Sequence, residues 1–467
     1  MKLRPLFAAA GALSLSACVA GPPADVATSA PVLPDVFFYA PDAATRAALA
    51  DLLPRGDPAF DTLAAQALAQ SPTLGEAAAR IDQARAGANE AGARRLPEIG
   101  TSAGIAGIRT SPGQFSSSLP PGVSIDSERI SYAANLTARW DPDLFGRLRA
   151  QERAALARIN AADGAARGVR IALLSEIAGS VIDWRTLASR EAELTRDLAS
   201  AKELARLAGI RERAGIAPGF DRVRAESSAA STLSRLMALA SERARLTGRL
   251  VTLTAQGAAP VRVALALDGP ALAVSAVPPT LPSALLANRP DVLAAAATLS
   301  AEDADLAAAA RKRFPVFDLS ATIGLLAFGI GDLFDADSMV GSLAAAVAAP
   351  LLDFGRIQAE IDGATAQKQA AFQAYRGAVY TALGDAETAY GLVAAADTEA
   401  LASVQEAASL QRAAELAQFR QKAGLADFLT VLEARRAADA SGERAAVASG
   451  RARRARVVLW QALGGSV

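Results

Sequence analysis

The sequence predicts a mixed α and β membrane protein, internally duplicated. Four strands per chain join those of other copies in a trimeric 12-stranded β-barrel, which a long α-helical periplasmic barrel continues. Three observations predict it. The chain repeats itself, each repeat carries a pair of membrane-length strands, and each pair is followed by a proline-free run of helix formers.

The repeat is legible in two places. Asp143-Leu144-Phe145-Gly146-Arg147 recurs as Leu352-Asp353-Phe354-Gly355-Arg356, and Ala214-Gly215-Ile216-Ala217 recurs as Ala423-Gly424-Leu425-Ala426. Gly146 to Gly355 and Gly215 to Gly424 are the same step, 209 residues. A period this long is too large for a solenoid and implies two similar half-structures.

Composition excludes several classes of function. The chain carries 48 basic and 48 acidic residues, no histidine and one cysteine. Balanced charge gives no electrostatic footprint for nucleic acid. A zinc site, a Ser-His-Asp triad or a Cys-His pair cannot be assembled within the chain, and no cofactor or metal is expected.

Residues 1–17 read as a lipoprotein signal peptide. Lys2 and Arg4 open it, an apolar stretch runs from Leu6 to Leu15, and Leu15-Ser16-Ala17-Cys18 resembles the lipobox of bacterial lipoproteins. Cys18 would then be the acylated first residue, and Val19 after it points by resemblance to outer-membrane sorting. Residues 18–57, rich in Pro, Ala and Asp without a sustained period, read as a lipidated, extended tether.

The first repeat is assigned to 58–256. Phe60, Leu63, Ala67 and Leu68, then Leu74, Ala78, Ile81 and Ala84, keep helical spacing, with Pro72 marking a break. Residues 257–280 read as a linker, and 281–467 as the second repeat, which opens with Leu281 to Leu286 and a helix from Val292 to Arg311.

Each repeat then changes period. Ile130, Tyr132, Ala134, Leu136, Ala138 and Trp140 alternate with Ser131, Ala133, Asn135, Thr137 and Arg139; Phe317, Leu319, Ala321, Ile323 and Leu325 alternate with Asp318, Ser320, Thr322 and Gly324. Such strands of roughly 10 residues can cross a membrane when tilted. Weaker partners run from Pro97 to Ile108 and from Ser338 to Ala349. Ser111 to Asp126 and Gly329 to Asp337 read as the hairpin loops; Pro97 to Pro315 is a step of 218, so the first hairpin is nine residues longer.

No proline follows Asp143 until Pro218, and none follows Pro350. A stretch of that length, if helical, reaches on the order of 110 Å. Its apolar stripes, such as Leu173, Ile177, Val181 and Trp184, alternate with charge, so these helices pack sideways as coiled coils and do not span a bilayer.

Four strands cannot close a barrel, and lipid forbids open sheet edges because unpaired backbone groups find no water there. Two chains would give eight strands and a side-chain-filled interior; three give twelve and a lumen. A homotrimer with a pore follows.

The chain resembles the TolC/OprM-like outer-membrane factor family, in its lipoprotein branch. The resemblance is carried by Trp140 to Arg147, Leu281 to Leu286 with Arg289-Pro290-Asp291, Pro350 to Arg356, and the turns Arg213-Ala214-Gly215-Ile216 and Lys422-Ala423-Gly424-Leu425. It implies a channel in the cell outer membrane, extending into the periplasm as the exit duct of a tripartite efflux system. The partners implied are a periplasmic adaptor (membrane fusion protein) and an inner-membrane pump, of resistance-nodulation-division type.

The resemblance also implies site residues. Gly215, Ile216, Gly424 and Leu425 would form the tips that meet the adaptor, although a C-cap glycine is the plain structural alternative. Asp221 and Glu433 would line a periplasmic constriction roughly two turns above the tips, with Thr430 standing where the family often has an Asp. Other readings are an exit duct for type I protein or peptide secretion, a periplasmic lipoprotein scaffold or adaptor without a pore, and a carboxylate hydrolase. The scaffold needs no duplicated strands, and the hydrolase needs two acids in one cleft that the sequence does not single out.

Overall fold

The computed structural model describes residues 31–41, 48–109, 128–269 and 275–465. Cys18, the signal segment and the 111–126 loop lie outside the described residues.

The two repeats fold through the same succession of elements. The first runs α1 (Pro58–Gln70), α2 (Pro72–Ala93), β1 (Glu98–Arg109), β2 (Glu128–Trp140), α3 (Arg147–Arg213) and α4 (Gly219–Thr254), and α5 (Ala258–Leu265) follows in the linker. The second runs α6 (Ala284–Asn288), α7 (Pro290–Arg311), β3 (Val316–Ala327), β4 (Met339–Ala348), α8 (Arg356–Lys422) and α9 (Phe428–Ala462). Both ends of α7 lie 218 residues after those of α2, and both ends of β3 lie 218 after those of β1. Past the hairpins the step is 209 at both ends of α3 and α8.

Local chemistry sets the helix starts. Proline opens α1, α2 and α7, where its missing N–H is no loss. The Asp57 carboxylate accepts from Ala59 N (2.9 Å) as the N-cap of α1. At α3, Asp143 accepts from the backbone N–H groups of Leu148 (2.9 Å) and Arg149 (2.8 Å). At α8 the equivalent task falls to Asp353, one place nearer the glycine, which accepts from Gly355 (3.2 Å) and Ile357 (2.9 Å).

The chain divides into two compact units. One comprises Asp82–Ala161 and Ala296–Ala374 with the sheet, beside which Leu306 and Ala309 of α7 pack on Ile357, Ile361 and Ala364 of α8. The sheet is antiparallel throughout in the order β1-β2-β3-β4, so β1 and β4 are its free edges.

The other unit comprises Ala30–Ile81, Ala162–Ala295 and Tyr375–Val467. Its core gathers Phe60, Leu63, Ile177, Val181, Leu250, Val261, Tyr390 and Trp460. Two buried arginines sit in that unit, each making four hydrogen bonds. Arg289 donates to Asp291, to Asp385 and to the Ala462 carbonyl, and Arg456 holds Asp397 in a bidentate pair while donating to the Ser275 and Ala452 carbonyls.

Two segments differ from expectation. The described part of the tether is docked: Phe37, Leu52 and Leu53 are buried in the core, Phe37 lies 5.4 Å from Tyr390, and Phe38 N donates to Glu387 (2.8 Å). Its anchors fall at Phe37 and then at Leu52 and Leu53, too far apart to leave a period in the sequence. Within the linker, Ala258–Leu265 is helix and inserts Val261, Ala264 and Leu265 into the same core. Among the described residues no helix is long and apolar enough to cross a membrane.

Candidate functional site

The strand register divides the sheet into two unlike faces. Ile99, Ile105, Ile130, Tyr132, Leu136, Trp140, Phe317, Leu319, Ile323, Leu325, Leu343 and Val347 share one face, because the register sets odd positions of β1, β3 and β4 beside even positions of β2. The opposite face is mostly small and polar, with Ser102, Ser131, Asn135, Thr137, Ser320, Thr322 and Ser342, and its larger apolar residues, Ile108, Val316, Leu326 and Val340, stand at the strand ends. It also carries an ion pair, Arg139 Nε donating to Asp318 across β2 and β3 (2.6 Å). An apolar face wets in lipid and a polar face in water, so this sheet suits a membrane wall with water behind it.

The two helical tips are built alike. Gly215 (φ 71°) and Gly424 (φ 75°) occupy the left-handed region, which glycine enters without steric cost. Ile216 N donates to the Arg211 carbonyl (3.0 Å) and Leu425 N to that of Arg420 (2.8 Å), while the glycine N–H groups bond Glu212 and Gln421. Both are Schellman caps, so the C-cap role of each glycine is real. Ile216 and Leu425 nevertheless stand exposed, as do Phe220, Val223, Leu416 and Phe419 nearby. Behind them Leu204, Ala208, Ala225, Phe428, Val431 and Leu432 hold the two hairpins together.

Asp221 and Glu433 lie at unequal heights. Asp221 is half-buried in the first turn of α4, whereas Glu433 is exposed in the second turn of α9. Glu433 is 3.9 Å from Arg224, which lies over the Phe220 ring. Thr430 is engaged locally: its N–H and hydroxyl both donate to Asp427, the N-cap of α9 (2.8 and 2.5 Å), whose carboxyl is held below the usual range by those bonds.

The family model described as outer membrane efflux protein matches residues 63–256 and 281–465. The chain belongs to the outer membrane efflux protein family. The pyoverdine export outer membrane protein OpmQ of Pseudomonas aeruginosa is 30% identical over 415 residues, 88% of this chain and 86% of that one. The toluene efflux pump outer membrane protein TtgI of Pseudomonas putida is 31% identical, covering 81% and 79%. Among solved structures, the outer-membrane channel OprN superposes with a TM-score of 0.85 at 27% identity, over 96% of this chain and 99% of that one. This outer membrane efflux protein is therefore a transport duct of the cell outer membrane, with no enzymatic chemistry.

Two polar features of this efflux protein escaped the sequence reading. Arg222 bridges the first tip, donating to Glu212 (2.6 Å) and Glu226 (2.8 Å); its spacing from Glu226 is the only trace in the sequence. Asp197 of α3 and Asp439 of α9 are buried together, 6% and 9% exposed. Burial, and then the neighbouring Asp439 carboxyl, push Asp197 up to about 7, and burial also raises Asp439. They line a groove of about 760 Å³ whose other charged residues are Glu193, Arg196, Arg435 and Arg453.

Proposed function

We propose that three copies of this chain close a twelve-stranded barrel and form the exit duct of a tripartite efflux system. Such a duct passively conducts substrates delivered by a periplasmic adaptor and an inner-membrane pump of resistance-nodulation-division type. The observation that carries this reading is the sheet itself: four strands with one apolar face, one polar face and two free edges, β1 and β4. Such edges are untenable in lipid, and twelve strands leave a lumen where eight do not.

In this reading the polar face with Ser102, Asn135, Thr322 and Ser342 lines the lumen. Gly215, Ile216, Gly424 and Leu425 point the duct at its adaptor, with their exposed apolar neighbours as the contact surface. Asp221 and Glu433 line the periplasmic constriction, and Cys18 carries the acyl chains that anchor the N-terminus in outer-membrane lipid. Two or more acyl chains anchor firmly where one is reversible.

The test is native mass spectrometry together with single-channel recording in planar bilayers. Three copies and a stepwise conductance are expected; a monomer without conductance would leave a scaffold, not a duct. Cys18 is tested separately by mass spectrometry of the mature N-terminus, where cleavage elsewhere or an unmodified thiol would exclude the anchor.

A further inference from the structure

We propose that the free edge of β4 pairs with the free edge of β1 in a second copy of this chain in one defined register. Phe354 of the first copy locks that seam by seating on Leu96 and Ile99 of the second. The proposal rests on the reading that copies close the barrel and adds the register and anchor of the seam.

The template is the seam between β2 and β3 inside one chain. The first hairpin pairs Glu98 with Arg139, and the second pairs Val316 with Ala348. Moving Glu98 by 218 residues gives Val316, and moving Arg139 by 209 gives Ala348, so one pair of steps carries one hairpin onto the other. Applied to β2 and β3, the same steps carry Ala134 and Leu325 onto Leu343 and Gly107. They likewise carry Leu136 and Ile323 onto Ala345 and Ile105, and Ala138 and Ala321 onto Val347 and Ala103. Every transferred pair sets apolar face against apolar face. A slip of one residue would turn all of β4 over.

The lock follows from the same mapping. Just past β2, Phe145 stacks on Phe314 with centroids 4.8 Å apart and planes 12° apart, and it tilts against Phe317 at 6.4 Å. The steps carry Phe145 onto Phe354, Phe314 onto Leu96 and Phe317 onto Ile99. These three apolar side chains are bare in the single chain: Phe354 is 99% exposed, Leu96 66% and Ile99 68%. Phe354 also holds a left-handed backbone (φ 53°), a strained conformation for an aromatic residue that persists only where contacts secure it.

The ion pair of the internal seam does not transfer. Arg139 and Asp318 map onto Ala348 and Gly100, so the seam between copies depends on backbone pairing and on the Phe354 ring, and is expected to be insensitive to salt.

Cysteine pairs in the full-length protein test the register. Directly paired residues lie about 4.5–5.5 Å apart and diagonal neighbours about 7–8 Å, so only the former fall within disulfide reach. After oxidation in isolated outer membranes, Val347→Cys with Ala103→Cys should give covalent dimers and trimers, severalfold more than Val347→Cys with Ile105→Cys or with Thr101→Cys. The parent, whose one cysteine is Cys18, serves as the background. More product from a shifted pair would overturn the register. No product from any of the three pairs in an assembly that native mass spectrometry shows to be trimeric would overturn the edge pairing while sparing the duct. Phe354→Ala, added to the Val347→Cys, Ala103→Cys protein, should cut the cross-linked product severalfold, and Phe354→Leu should restore it. Undiminished product in Phe354→Ala would refute the lock while sparing the register.

Discussion

Glu433 of α9 lies 3.9 Å from Arg224 of α4, the residue that holds Glu433's own position one repeat earlier, 209 residues before it. Asp221 has a pseudo-equivalent too, Thr430, which is committed to the Asp427 cap. Each repeat thus contributes one acid at a position where the other does not, and one of the two faces a cation. An exposed pair of this kind contributes up to ~1 kcal/mol to stability, so its consequence is for the local field more than for the fold.

Ion selectivity should follow that asymmetry. If both acids line the constriction, Glu433→Gln should lower cation preference and Arg224→Gln should raise it, because the arginine offsets the carboxylate it faces. Reversal potentials under a salt gradient measure both. An unchanged potential in the double substitution Asp221→Asn with Glu433→Gln would make these acids a solvated face only.

The transmembrane sheet was largely legible, because period-2 alternation is imposed by the pleat and survives wherever side chains differ in polarity. It was clear from Ile130 to Trp140 and faint in β4, where Ala344, Ala345 and Ala346 read the same on both faces. What the sequence hid depended on distance. Asp197 and Asp439 are far apart in the chain and share a site only when α3 and α9 pack, and a buried carboxylate is written with the same letter as an exposed one. The Arg289-Pro290-Asp291 motif was visible only by resemblance, since its clamp needs Asp385 from α8. The docked segment around Phe37 has no periodicity to display.

That docking has a measurable weight. Phe37 is buried against Tyr390, and Phe37→Ala should cost about 3 kcal/mol through lost transfer energy and a residual cavity. A free tether would lose no more than ~0.5 kcal/mol, the usual range for an exposed site. Denaturant or thermal unfolding of the detergent-solubilised protein separates the two.

Gly324 is expected to be irreplaceable at the joint between the repeats. A Cβ built there would meet the Asn135 side chain, the Ala134 carbonyl and, at 2.9 Å, the Asn135 Cα on the paired strand. Backbone cannot yield as a flexible side chain does, so Gly324→Val should part β2 from β3. The yield of assembled protein in outer membranes should fall severalfold, whereas Gly331→Val, in the loop after β3 with open space around it, should assemble normally.

The segment from Ser111 to Asp126 should be reachable from outside the cell, as loops rich in Ser, Pro and Gly usually are. An epitope inserted after Ser117 should label on intact cells. Labelling only after the outer membrane is opened would invert the orientation of the duct.

The Asp197 and Asp439 pair should make the helical unit less stable as pH rises. Unfolded, an aspartate titrates near 3.9; folded, Asp197 keeps its proton to about 7 because burial and the Asp439 carboxyl oppose its charge. Between those values the folded state binds more protons than the unfolded one, so stability falls with increasing pH. The contribution is fully present below about pH 4 and lost as pH passes about 7. Asp439 is raised in the same direction by burial, with Arg435 and Arg235 opposing, and Arg435 lies 3.4 Å from it. Glu193 adds like charge to both acids. Asp197→Asn keeps the shape and removes the titration, so at pH 8 the variant should exceed the wild type by up to about 4 kcal/mol, and at pH 4 the two should converge. Melting followed by helical circular dichroism across pH 4–8 reads this directly. Parallel curves for the two proteins would mean that water or Arg435 already compensates the ionised pair, and that no proton is held between α3 and α9.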